Sequence, residues 1–196
     1  MTTAHAIENG QPRRMSRWIT ILRNRWPSAL ALLLTGLTFG GTGSPEAVGS
    51  LSEVLLILPL LYLLVAKLRN RRATWPLLVG GIGGVVALRV FDLVSVGLVL
   101  SVLALVVLVW GALDGELHRP GAFRVQALGM LVFGALSLAG LVVEPDLGRY
   151  VVAAGWFFHG VWDYVHLARD RVVARSFAEW CAIVDIGLAI ELAFAL

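Results

Sequence analysis

The chain has 196 residues, of which 58% are hydrophobic and only 15% charged, with a mean hydropathy of +0.82. Soluble domains are nearer ~45–50% apolar and ~25% charged, so a water-soluble globule, a disordered tail and a disulfide scaffold are excluded. The net charge of +3 does not point to nucleic acid, because the cations cluster at the edges of apolar segments, as topology signals do.

Residues 1–12 read as a disordered leader. Over 13–26, Met15, Trp18, Ile19, Leu22 and Trp26 share one helical stripe among arginines, the pattern of a cationic amphipathic helix lying in the membrane interface. From 27 to 196 a single transmembrane bundle is expected. About 20 mostly apolar residues cross ~30 Å of hydrocarbon, and in lipid the backbone must satisfy its own hydrogen bonds, which makes such segments helices.

Seven segments qualify: 28–43, 51–67, 75–90, 94–113, 124–143, 149–168 and 178–196. The first, with its basic leader and small-residue exit (Gly40, Gly41, Gly43, Ser44), also has the form of a signal peptide; the long leader favours an uncleaved helix. Pro59 is expected to kink the second span. A tight turn around 90–94 separates the third span from the fourth, and Arg89 and Asp92 are placed to pair there. The spaced glycines Gly36/Gly40 and Gly80/Gly84 read as close helix packing within the molecule. Trp26, Trp75, Trp110 and Trp180 fall at span ends, as an interfacial belt does. The loop Asp114–Pro120 reads as a solvated turn. Glu53, Lys67 and Arg149 lie near span ends, where solvation or pairing accounts for them.

With the N-terminus in the cytoplasm, the cytoplasmic segments collect fourteen Lys and Arg residues, and the other side only Arg89 and Arg149. This is a positive-inside distribution that survives seven crossings. The expected fold is all-α, a polytopic transmembrane helical bundle of about seven transmembrane helices, N-terminus inside and C-terminus outside. Fifteen arginines against one lysine, with abundant Ala, Leu, Val and Gly, have the composition of a GC-rich bacterial genome, so the expected location is a bacterial cytoplasmic membrane.

An ionisable residue within a span costs roughly 2.5–3.5 kcal/mol on insertion scales and needs a reason. The sixth span carries His159, Asp163 and His166, which share a face about 60° wide at 100° per residue. The seventh carries Cys181 and Asp185 at i, i+4. Folding the hairpin about residue 173 sets Asp185 opposite about 161, so two histidines and two carboxylates converge at one level; Glu191 falls about one turn further out. Imidazole with carboxylate suits zinc or iron. His159, Asp163, His166 and Asp185 are therefore the candidate metal ligands, with Asp163 or Asp185 free to act as a catalytic base. His159 and His166 lie about 10.5 Å apart along the axis, too far to share one ion readily.

The segment from Gly155 to Asp185, with its H-x3-D-x2-H helix, basic loop and W-C-x3-D start of the next helix, resembles the C-terminal part of an uncharacterised family of small bacterial polytopic membrane proteins. That resemblance spans about thirty residues and implies no activity. Seven spans also invite comparison with the membrane hydrolases related to alkaline ceramidase and the progestin/adiponectin receptors. Those have an H-x3-H helix and a further histidine in another span. Here Asp163 replaces the second histidine and no other span holds one, so that family's zinc site does not transfer.

The functional expectation is a metal-assisted membrane enzyme acting on a lipid or other apolar substrate, embedded in the lipid bilayer. The alternatives are a small transporter or proton-coupled membrane component using the same face, and a structural membrane subunit without catalysis.

Overall fold

The computed structural model describes residues 25–92 and 94–194. The leader over 1–12, and the expected interfacial helix apart from Arg25 and Trp26, lie outside the described residues. Among the described residues there are seven α-helices and no strands: α1 (Trp26–Thr38), α2 (Pro45–Leu68), α3 (Thr74–Phe91), α4 (Val96–Leu113), α5 (Ala122–Val142), α6 (Pro145–Arg169) and α7 (Arg175–Phe194). A single 3-10 turn, Arg71–Ala73, leads into α3.

The local chemistry explains the bounds. α1 stops at Thr38, and Gly40, just beyond, takes φ +85°, a left-handed conformation that ends a helix. α2 starts six residues before its apolar run because Ser44 accepts from the Ala47 N–H, Pro45 occupies the first turn and Glu46 meets the positive end of the helix dipole. α6 begins the same way, with Glu144 capping the Leu147 N–H ahead of Pro145. α2 runs unbroken through Pro59, although the missing N–H leaves its hydrogen-bond ladder one bond short.

α2 is the central pillar. It packs against α3, α4, α5 and α6, and every residue from Leu55 to Leu63 is buried, as expected of a helix apolar on all sides. The α6–α7 hairpin is packed along its length, and α1 covers α7. The outer helices turn Val79, Val86, Val90, Leu98 and Leu105 outward, an apolar surface far larger than a soluble monomer exposes. Four helical segments are long and apolar enough to cross a membrane: Pro45–Leu68, Arg71–Phe91, Val96–Leu113 and Ala122–Val142. α6 and α7 have 25 and 20 residues, but their ionisable side chains lower their hydropathy.

Several local expectations are corrected. Arg89 pairs with Glu53 at 2.6 Å and Ser50 at 2.8 Å, not with Asp92, which leaves the helix at φ 45°. The Asp114–Pro120 loop is more than a solvated turn: Asp114 and Glu116 both accept from Lys67, and Glu116 also accepts from Arg69 at 3.0 Å. Arg149, by contrast, is paired as expected: it donates to the carbonyls of Leu192 and Ala193 at 2.8 and 3.3 Å, closing the C-terminal end of α7. Trp180 is buried against Trp75 and Phe177 rather than set in a belt. A Cβ on Gly36, Gly40, Gly80 or Gly84 would meet nothing within 4 Å, so those pairs do not mediate packing within the chain. Close approaches occur instead at other glycines, among them Gly111, Gly140, Gly155, Gly160 and Gly187.

Candidate metal centre

The centre is made by the α6–α7 hairpin. A Cβ on Gly160 would lie 3.1 Å from Asp185 Cβ and 3.0 Å from the Ile186 side chain, so the missing side chain is what lets α7 come this close. That approach sets Asp185 beside the turn of α6 that carries His159 and Asp163. His159 Nδ1 lies 2.7 Å from Asp185 Oδ2 and 3.1 Å from Asp163 Oδ2. One turn before Asp185, the Cys181 thiol reaches Asp185 Oδ1 at 3.7 Å. One ligand atom from each of His159, Asp163, Cys181 and Asp185 lies within 4.8 Å of all the others, and none of the four residues is more than 1% exposed.

α2 supplies the support. Tyr62, fully buried in the leucine-rich pillar, donates its hydroxyl to Asp163 Oδ1 at 2.5 Å. Its ring meets His159 and His166 edge-on, with centroids 5.8 and 4.9 Å away. Phe133 of α5 closes the other side of His159 at 4.9 Å, and His159 Nε2 has no hydrogen-bond partner among the described residues.

Of the four residues singled out from sequence, His159, Asp163 and Asp185 meet, and His166 stands apart. His166 Nδ1 is 2.8 Å from the Trp162 carbonyl, to which it can only donate, so Nε2 accepts from the Gln126 amide at 2.9 Å. Trp162 Nε1 donates to the same Gln126 through its oxygen at 3.3 Å. Glu191 is also buried but separate, accepting from Thr38 at 3.3 Å. Sequence reasoning missed three participants. Cys181 carried a signal, its i, i+4 relation to Asp185. Tyr62 and Gln126 were visible only as lone polar groups in apolar runs.

The electrostatics of the cluster are demanding. Two fully buried carboxylates face one imidazole, and among the described residues no Lys or Arg pairs with either. A buried ion without compensation costs several kcal/mol. The two carboxylate charges are balanced by a proton on His159 and another on a carboxylate, or by one divalent cation; a metal-bound Cys181 is a thiolate and leaves the loaded centre with one net negative charge. The donors fit the second case. The four ligand atoms, one from each residue, lie within 4.8 Å of one another, against about 3.3–3.6 Å around a tetrahedral ion with ~2.0–2.3 Å bonds, so small side-chain shifts would close them on an ion. A nitrogen, a sulfur and two carboxylate oxygens are a borderline-soft set suited to zinc or iron.

On the α7 side, Cys181 and Asp185 line an apolar cavity of about 140 Å³ whose walls include Leu34, Leu58, Leu78 and Trp156. Fold and site together define a membrane-compatible helical bundle with a buried His/Asp/Cys cluster between its last two helices. Comparison with protein-family models, curated proteins and solved structures returns no match.

Proposed function

We propose that the protein is a metal-assisted membrane enzyme acting on a lipid or other apolar substrate, with zinc or iron held by His159, Asp163 and Cys181, a fourth position open to water, and Asp185 left beside the ion as the base. The observation that carries this reading is the convergence of four donors of three kinds within 4.8 Å, two of them carboxylates that no Lys or Arg pairs with among the described residues. The Cys181 thiol beside Asp185 supports the metal reading, since a proton relay has no need of it. Such a metal supplies a Lewis acid and an activated water near neutral pH. The chain supplies the rest. Tyr62 fixes Asp163, Phe133 and Trp156 keep bulk water out, and the apolar cavity admits a hydrocarbon chain. Asp185 is the carboxylate on the side of that cavity and is assigned the role of base.

Seven crossings are proposed, with the N-terminus in the cytoplasm of a bacterial cell; α1, whose 13 residues cover only about 20 Å, crosses together with its flanking residues. α6 supports this: its outward side carries Phe157, Phe158, Val161 and Tyr164, while its polar side chains are turned into the bundle. The second reading, a proton-coupled transporter, is favoured by the continuous hydrogen-bonded chain Tyr62–Asp163–His159–Asp185, the form of an intramembrane relay.

Metal analysis of detergent-purified protein separates the two, wild type against Asp163→Asn. One zinc or iron per chain, lost in the variant, is the expected result. A metal-free wild type with proton flux in liposomes that the same variant abolishes would establish the transporter instead.

A further inference from the structure

At the arginine-rich end of the bundle, a cavity of about 540 Å³ opens between α2, α5 and the α6–α7 turn. Arg69, Arg71, Arg169 and Arg171 line it, together with Gln126 and His166. Both of the last two are more than nine-tenths buried. Apolar wall is supplied by Val65 and Val125, and no carboxylate lines the space.

The four arginines are not equally committed. Arg69 is held by Glu116 at 3.0 Å. Arg71 is held by Asp170 at 2.6 Å and by the Val173 carbonyl at 2.9 Å. Among the described residues the guanidinium groups of Arg169 and Arg171 have no hydrogen-bonded or ion-paired partner, and both residues are exposed. Between them and α7 the backbone is strained: Val172, also in the cavity wall, sits at φ 70°. That is an outlier for a β-branched residue, and such strain concentrates at ligand-binding segments.

We infer that this cavity is a binding site for a phosphate group, with Arg169 and Arg171 as its free cationic forks and the mutually hydrogen-bonded Gln126 and His166 as its buried floor. Guanidinium groups recognise phosphate through paired, charge-assisted hydrogen bonds. The apolar wall suits a phosphate carried on an amphiphile, entering from the membrane surface with its first methylenes against Val65 and Val125. The site stands whether or not the buried centre holds a metal. It adjoins that centre, because His166 in the floor touches the Tyr62 ring, whose hydroxyl holds Asp163.

The test is calorimetric titration of the full chain in detergent with two probes, inorganic phosphate and monomeric dihexanoyl phosphatidic acid. The proteins are wild type, Arg169→Ala/Arg171→Ala, and Arg72→Ala, an exposed arginine at the same end but outside the cavity. The double variant is expected to weaken binding by about tenfold or more, and Arg72→Ala by less than about twofold. Each single variant, Arg169→Ala or Arg171→Ala, gives the same reading at smaller size if the double variant is not monodisperse. Tighter binding of the lipid assigns the site to a head group; equal binding assigns it to the free anion. If neither probe binds, or Arg72→Ala loses as much as the double variant, the inference is overturned.

Discussion

Tyr62→Phe isolates one contact of the buried centre. Tyr62 and Asp163 are both 0% exposed, and the 2.5 Å bond from the Tyr62 hydroxyl is the only one to Asp163 Oδ1 among the described residues. Phenylalanine keeps the ring and its edge contacts to His159, His166 and Phe177, so the change removes a hydroxyl and little else. A hydrogen bond to a charged group contributes ~1.5–3 kcal/mol, and with no water able to replace it the whole amount is expected to appear. That corresponds to about 10- to 100-fold in an equilibrium constant. Two assays read it. Zinc affinity, measured by competition with a chelator, should fall by about 10- to 100-fold, the range seen when a group behind a metal ligand is removed. Unfolding of metal-stripped protein in mixed detergent should lose ~1.5–3 kcal/mol. Tyr164→Phe, at a 66% exposed position on the helix that carries Asp163, should change neither. If Tyr62→Phe and Tyr164→Phe are indistinguishable in both assays, the hydroxyl does not hold Asp163 and the supporting role of α2 is refuted.

Two further perturbations follow from the geometry. In Gly160→Ala the new Cβ would press on Asp185 and Ile186 at 3.0–3.1 Å. Overpacking costs ~1–3 kcal/mol, against a helix-propensity gain of ~1 kcal/mol, so a net loss of stability with reduced metal occupancy is expected; unchanged occupancy would show that the hairpin spacing does not set the centre. The hydrogen bond from Arg71 holds the Asp170 carboxyl below its ordinary value. Its contribution to stability is therefore complete above the ordinary carboxylate pKa of about 3.9 and is lost as the pH falls through the lowered value. Asp170→Asn should be slightly less stable than wild type at pH 7 and converge with it in acid. The difference should shrink in high salt, because the pair is exposed; a gap that widens in acid would refute the assignment.

Much of the fold is legible in the sequence because lipid leaves few choices. Each of the seven apolar runs corresponds to one helix, and the discrepancies lie at the ends. The starts of α2 and α6 carry their own signals, Ser44-Pro45-Glu46 and Glu144-Pro145, which hydropathy ignores. The end of α1 depends on the backbone of Gly40. Within the site, His159, Asp163 and Asp185 are legible because helical periodicity and one short hairpin are nearly enough to position them. Tyr62 lies 101 positions from Asp163 and Gln126 lies 40 from His166. No local pattern encodes those meetings, because the packing of α2 and α5 against the hairpin decides them. The choice of His166 between the centre and Gln126 is fixed by the same packing. Periodicity placed it on the right side of α6 but could not say which neighbour it would meet.

Zinc-edge X-ray absorption of the purified, zinc-loaded protein tests the central claim most directly. One sulfur at ~2.3 Å and three nitrogen or oxygen atoms at ~2.0–2.1 Å are expected, with the sulfur replaced by a lighter atom in Cys181→Ser. A shell of oxygen atoms alone, or a wild-type spectrum unchanged by Cys181→Ser, would contradict a metal centre between α6 and α7.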